Sequence, residues 1–114
     1  MAVTTVDDKR RFTRAPIGII VRVSNGDVSR HYYTRNISAG GVFLLAEQPM
    51  EEETEVSLEM YLPLVTSPVR ASGEVVWKTR QDPAGFAVKF TSISESSRKL
   101  IEWVVKRYFG DRTT

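Results

Sequence analysis

A chain of 114 residues, 41% hydrophobic and 26% charged, has room for one hydrophobic core and little for a second, so a single globular domain is expected. With no cysteine, one histidine and a net charge of +2, the sequence excludes disulfide staples, thiol chemistry and cysteine-based metal sites, and it lacks the global positive field of a general nucleic-acid binder. No apolar run approaches bilayer-spanning length and the first eight residues carry no secretory pattern, which points to a cytoplasmic protein without membrane insertion.

Residues 1–14 read as a flexible basic arm, with Lys9, Arg10, Arg11 and Arg14 inside six positions. Ile17 to Val23 is β-branched and apolar, and Ser24-Asn25-Gly26-Asp27 follows it; Asn-Gly is a strong hairpin signal, so a strand, a tight turn and a returning strand through Tyr32-Tyr33 are predicted. Gly41 to Ala46 predicts a third, buried strand ending near Pro49, and the run Glu51, Glu52, Glu53, Glu55 reads as a solvated turn. Val56, Leu58, Met60 and Leu62 alternate with polar or exposed neighbours in a fourth strand stopped by Pro63. Val69, Ala71, Gly73, Val75 and Trp77 share one face of a fifth, and Phe86, Val88 and Phe90 form a sixth after the turn at Asp82-Pro83-Ala84-Gly85. Six short, regularly spaced strands over residues 15–91 argue for an antiparallel barrel or sandwich. The period then changes: Leu100, Ile101, Val104, Val105, Tyr108 and Phe109 recur at helical spacing, predicting a helix over 92–110 that lays this stripe on the core, with Ser92 and Glu95 as a capping box, Gly110 as the stop and Trp103 off the stripe.

Two short motifs stand out. Arg10 and Arg14 bracket three residues in Lys9-Arg10-Arg11-Phe12-Thr13-Arg14, ahead of the first strand, and Asn36-Ile37-Ser38-Ala39-Gly40-Gly41 lies between the second and third strands. In this order and inside a six-strand pattern, they resemble the RxxxR and (D/N)xSxxG signatures of the PilZ domain family. Gly73-Glu74-Val75-Val76-Trp77 and Gly85-Phe86-Ala87-Val88-Lys89-Phe90 look like that family's later strands, with Ala87 where a second glycine is frequent. The resemblance covers about residues 8 to 109. It implies a six-stranded antiparallel β-barrel with a C-terminal helix, and a receptor for the bacterial second messenger cyclic di-GMP that takes no further cofactor.

The residue chemistry agrees with that ligand. An arginine fork matches the O6 and N7 acceptors of guanine or two oxygens of a phosphate, and its flat face stacks on a base. Asn36 offers an amide to a base edge, Ser38 a hydroxyl, and the tandem Gly40-Gly41 permits positive φ and close backbone approach. Arg10, Arg14, Asn36, Ser38 and Gly41 are therefore the expected ligand contacts, with Lys9, Arg11, Gly40 and Trp77 as secondary candidates. Trp77 is read first as a barrel-core residue and second as a base-stacking platform.

An enzyme is not expected. His31 sits inside a predicted strand as an ordinary surface or core residue, and Asp7-Asp8 has no partner at metal-ligand spacing. Two alternatives remain: a PilZ-like adaptor acting by protein contact without ligand, and an OB-like barrel binding single-stranded nucleic acid. Against the first stand the retained arginines, and against the second the concentration of basic residues in one arm, so no DNA or RNA partner is expected. The signal is expected to leave through a downstream protein, with motility and surface attachment among the processes the resemblance suggests.

Overall fold

The computed structural model describes residues 14–109. The arm with Lys9, Arg10 and Arg11, the side chain of Phe109 and the Gly110 stop lie outside the described residues. Six antiparallel strands, β1 (Ile20–Asn25), β2 (Val28–Ser38), β3 (Gly41–Leu45), β4 (Glu55–Met60), β5 (Val69–Thr79) and β6 (Gly85–Ile93), close into a barrel in the order β1-β2-β3-β6-β5-β4, and one helix, α1 (Glu95–Phe109), follows. The barrel replaces the barrel-or-sandwich choice left open by strand spacing alone.

Alternation along each strand builds the interior. Val21 and Val23, Val42 and Leu44, Val56, Leu58 and Met60, Val69, Ala71 and Val75, and Phe86, Val88 and Phe90 all enter one buried cluster, joined by Ile101, Val104 and Val105 from α1. The β1–β2 hairpin turns at Gly26, whose φ of 60° is freely available only without a Cβ.

Several expectations are corrected. The first strand starts at Ile20 and not at Ile17, because Thr34 interrupts the ladder: its hydroxyl donates to the Ile17 carbonyl and accepts from the Ile19 N–H, while Pro16 has no N–H to give. The second strand runs on to Ser38, so Asn36 and Ser38 belong to β2 and only Ala39 and Gly40 make the turn into β3. Ser92 is not the helix cap. It pairs with Ser72 inside β6, and Ser94 caps α1 by accepting the Ser97 N–H at 3.1 Å. Leu100 and Tyr108 are not core residues: both are exposed at the margins of a stripe whose buried centre is Ile101, Val104 and Val105.

Candidate functional site

A β-bulge sets up the site. The β2–β3 register shifts between Thr34 and Asn36, leaving Arg35 unpaired beside Asn36, whose partner is Phe43. Phe43 in turn pairs with Ala87 on β6, and Ala87 with Trp77 on β5. Asn36, Phe43, Ala87 and Trp77 thus form one row across four adjacent strands, about 14 Å from end to end at the usual strand spacing.

This row lies on the outside of the barrel. Phe43 is flanked by the core residues Val42 and Leu44 and faces away from them, covered by Trp77 with ring centroids 5.6 Å apart. Trp77 does not share the face of Val75 and Gly73 as alternation predicted. A second register shift, between Val75 and Trp77, turns its indole outward, where it is 52% exposed. Ala87, between the two rings in register, is small enough for them to meet across it. Trp77 is therefore not the barrel-core residue of the first reading but an exposed aromatic plane resting on Phe43.

At the opposite end, Ala15 bridges Ile37 with both backbone bonds at 2.9–3.0 Å, which fixes the point where the basic arm meets the barrel. Arg14 is thereby held over β2, and its guanidinium donates to Asn36 Oδ1 at 2.8 Å. The last residue of the first motif and the first residue of the second are in direct contact, 22 positions apart in sequence.

Ser38 is buried at the turn between β2 and β3. It is 1% exposed, accepts the Gly40 N–H at 3.1 Å and donates to the Gly41 carbonyl at 3.4 Å. The Gly40 carbonyl is taken by the Phe90 N–H at 3.0 Å. Neither Gly40 nor Gly41 has a positive φ, contrary to expectation. Gly41 is required by crowding instead, since a Cβ there would be driven into the Val88 carbonyl oxygen. Ser38, Gly40 and Gly41 build the turn that presents Asn36.

Two residues escaped the sequence reading. Arg35 is exposed beside Asn36 and, among the described residues, makes no ion pair; Phe43 supplies the floor under Trp77. A bulge leaves no trace in composition, so neither was separable from strand filler. The neighbouring cation Lys78 is already committed, with Nζ 2.6 Å from Glu51 Oε1, and this bond holds the Glu51 carboxyl below the usual glutamate range. Among the described residues, no group of three or more histidine, aspartate or glutamate side chains is placed to hold a metal ion, and no helix is long and apolar enough to cross a membrane.

Comparison with known proteins bears on this arrangement. A search among curated proteins returned no match. Solved structures that share the fold include three from different bacteria. The Bacillus subtilis inhibitor of motility MotI/DgrA superposes with a TM-score of 0.75 at 15% identity, covering 91% of this chain and 53% of that one. The PilZ domain of Escherichia coli YcgR, solved with c-di-GMP, gives 0.67 at 12% identity, covering 91% and 94%. Borreliella burgdorferi PlzA, in complex with c-di-GMP, gives 0.66 at 9% identity, covering 91% and 44%. The chain thus spans about half the length of MotI/DgrA and rather less of PlzA. The PilZ domain family profile matches residues 8–107, a span that holds both motifs and the whole barrel, and the chain belongs to the PilZ domain family.

Proposed function

We propose that this chain binds cyclic di-GMP on the outer barrel row that runs from Arg14 and Asn36 to Trp77, and passes the signal on by changing its contacts with another protein. The observation that carries the reading is the Arg14–Asn36 bond, which joins two sequence-distant motifs at one end of a row that has an exposed aromatic plane at the other.

Each part has a chemical task. The Arg14 guanidinium, and that of Arg10 by the motif, pair with guanine O6/N7 or with phosphate oxygens. Asn36 Oδ1 has a second lone pair free for a base donor, and its amide N–H groups serve an acceptor. Trp77 gives a base a face to stack on, steadied by Phe43. Arg35 adds a cation next to Asn36 for a ligand carrying two negative charges, while Lys9 and Arg11 contribute general attraction. Ser38, Gly40 and Gly41 act through the turn and not by touching the ligand. The role proposed for the row is recognition of a ligand, in a cytoplasmic setting.

Isothermal titration of the chain with cyclic di-GMP, cyclic di-AMP and GTP tests this. Cyclic di-GMP is expected to bind at least about tenfold tighter than cyclic di-AMP, because adenine replaces the O6 acceptor with an amino donor facing the guanidinium. Equal affinity for the two would reject guanine reading, and tight binding of single-stranded oligonucleotides would reject the assignment as a whole.

A further inference from the structure

Next to the Asn36–Trp77 row on the outer face, four outward side chains line up on β3, β2, β1 and the residue that follows β4. Leu45 is opposite Tyr33, Tyr33 opposite Ile20, and the Ile20 carbonyl accepts the Tyr61 N–H at 3.1 Å. Their chain neighbours Leu44, Thr34, Ile19, Val21, Met60 and Leu62 are buried, so these four face away from the core, 37% (Leu45), 61% (Tyr33), 39% (Ile20) and 43% (Tyr61) exposed. Single exposed apolar residues are ordinary, whereas a contiguous row on a rigid sheet marks a contact face, and tyrosine and arginine are the residues enriched at the centres of such faces.

The rim of the row is cationic. Arg14 and Arg35 stand on one side, Arg22 and Arg70 on the other, and Arg22 and Arg70 share the single carboxylate of Glu59. Glu59 lies between Arg22 at 3.3 Å and Arg70 at 3.1 Å and also accepts the Tyr61 hydroxyl at 3.3 Å. These bonds hold that side of the rim in place before anything docks, which lowers the ordering cost of association.

We propose that the Leu45–Tyr33–Ile20–Tyr61 row docks a partner-protein segment whose apolar stripe is flanked by carboxylates, in the form of an acidic amphipathic helix. The barrel is closed, so no strand edge is free for an added strand. Four strands span about 14 Å, which about ten helical residues cover at a rise of 1.5 Å each. The row's role as the signal's exit rests on the cyclic di-GMP reading above: ligand at Arg14 and Asn36 changes the charge of the rim on that side.

The test uses the full chain and a stapled helix of about fifteen residues, with leucines at i, i+4, i+7 and i+11 flanked by glutamates, against the same helix carrying lysines. NMR titration is expected to move the amides of Ile20, Tyr33, Leu45 and Tyr61 with the glutamate helix and to show the lysine helix at least about tenfold weaker. Tyr33→Ala is expected to weaken the glutamate helix at least about tenfold, and Arg70→Glu to reverse the preference between the two helices. Saturating cyclic di-GMP is expected to change the glutamate helix's affinity by about fivefold or more. Absence of saturable binding up to about 1 mM, equal binding of both helices, or indifference to Tyr33→Ala overturns the proposal. So does binding to phosphatidylglycerol vesicles, or self-association in sedimentation, that Tyr33→Ala abolishes, since the row would then serve a lipid or a second copy. If the helix binds but calorimetry shows no cyclic di-GMP binding, the ligand reading fails and the docking row stands; the reverse result sinks the row alone.

Discussion

Arg14 and Ser38 both belong to motifs, yet one is exposed and the other buried. The Arg14 side chain is exposed and its described hydrogen bond is to Asn36, so removing it leaves the core untouched. Arg14→Ala is expected to lose charge-assisted bonds worth on the order of 1.5–3 kcal/mol each, weakening cyclic di-GMP at least about tenfold by titration calorimetry with the melting temperature nearly unchanged. Unchanged affinity would remove Arg14 from the site. Ser38→Ala is expected to behave oppositely, because it leaves the Gly40 N–H without its acceptor in a buried turn: about 1–3 kcal/mol of stability is lost, measured by denaturant unfolding, and affinity falls only through the displaced Asn36. The two motifs were legible as a pair, since their residue types and order are explicit in sequence. That the Ser38 hydroxyl is used within its own turn was not, because it depends on where one hydroxyl points.

At the scale of elements, periodicity carried the fold as far as the backbone stays regular. Six strand segments and one helical stripe were readable, and most of the barrel's interior follows from them. What could not be read are the points where regularity breaks: the Thr34/Asn36 and Val75/Trp77 bulges, which bring Asn36 and Trp77 to the outer face, and the extension of β6 through Ser92. Strict alternation placed Trp77 inside because a one-residue slip inverts every later side chain. The helix start offers a direct check. Ser94→Ala is expected to cost about 1 kcal/mol of unfolding free energy, whereas Ser92→Ala, exposed on β6, is expected to stay within about 0.5 kcal/mol. Equal losses would return the cap to Ser92. The stripe offers another. Val104→Asp puts an unpaired charge into the cluster and is expected to cost more than about 3 kcal/mol, while Leu100→Asp at the exposed margin is tolerated; wild-type melting of Val104→Asp would show that α1 is not part of the core.

For the whole molecule, any ligand of the row would be linked to the fold, because the row is assembled from β2, β3, β5 and β6 and from the Ala15 bridge, pieces that are adjacent only when the barrel is closed. An unfolded chain therefore presents no site, and any ligand of the row acts on the full folding equilibrium. Binding to the native state alone adds RT ln(1 + [L]/Kd), about 2.7 kcal/mol at a hundredfold excess of free ligand over Kd. For a domain of this size that corresponds to a rise of about 10 °C in melting temperature. The expected result is such a rise with cyclic di-GMP and a much smaller one with cyclic di-AMP at the same concentration, followed by differential scanning calorimetry. With Arg14→Ala the rise shrinks at fixed ligand because Kd is larger, and it returns as ligand is added to restore the same excess; with Val104→Asp the starting temperature falls instead, because the core itself is weakened. A melting temperature indifferent to cyclic di-GMP at concentrations that saturate the calorimetric signal would mean that the ligand meets the unfolded chain equally well, and the barrel row would then not be its site.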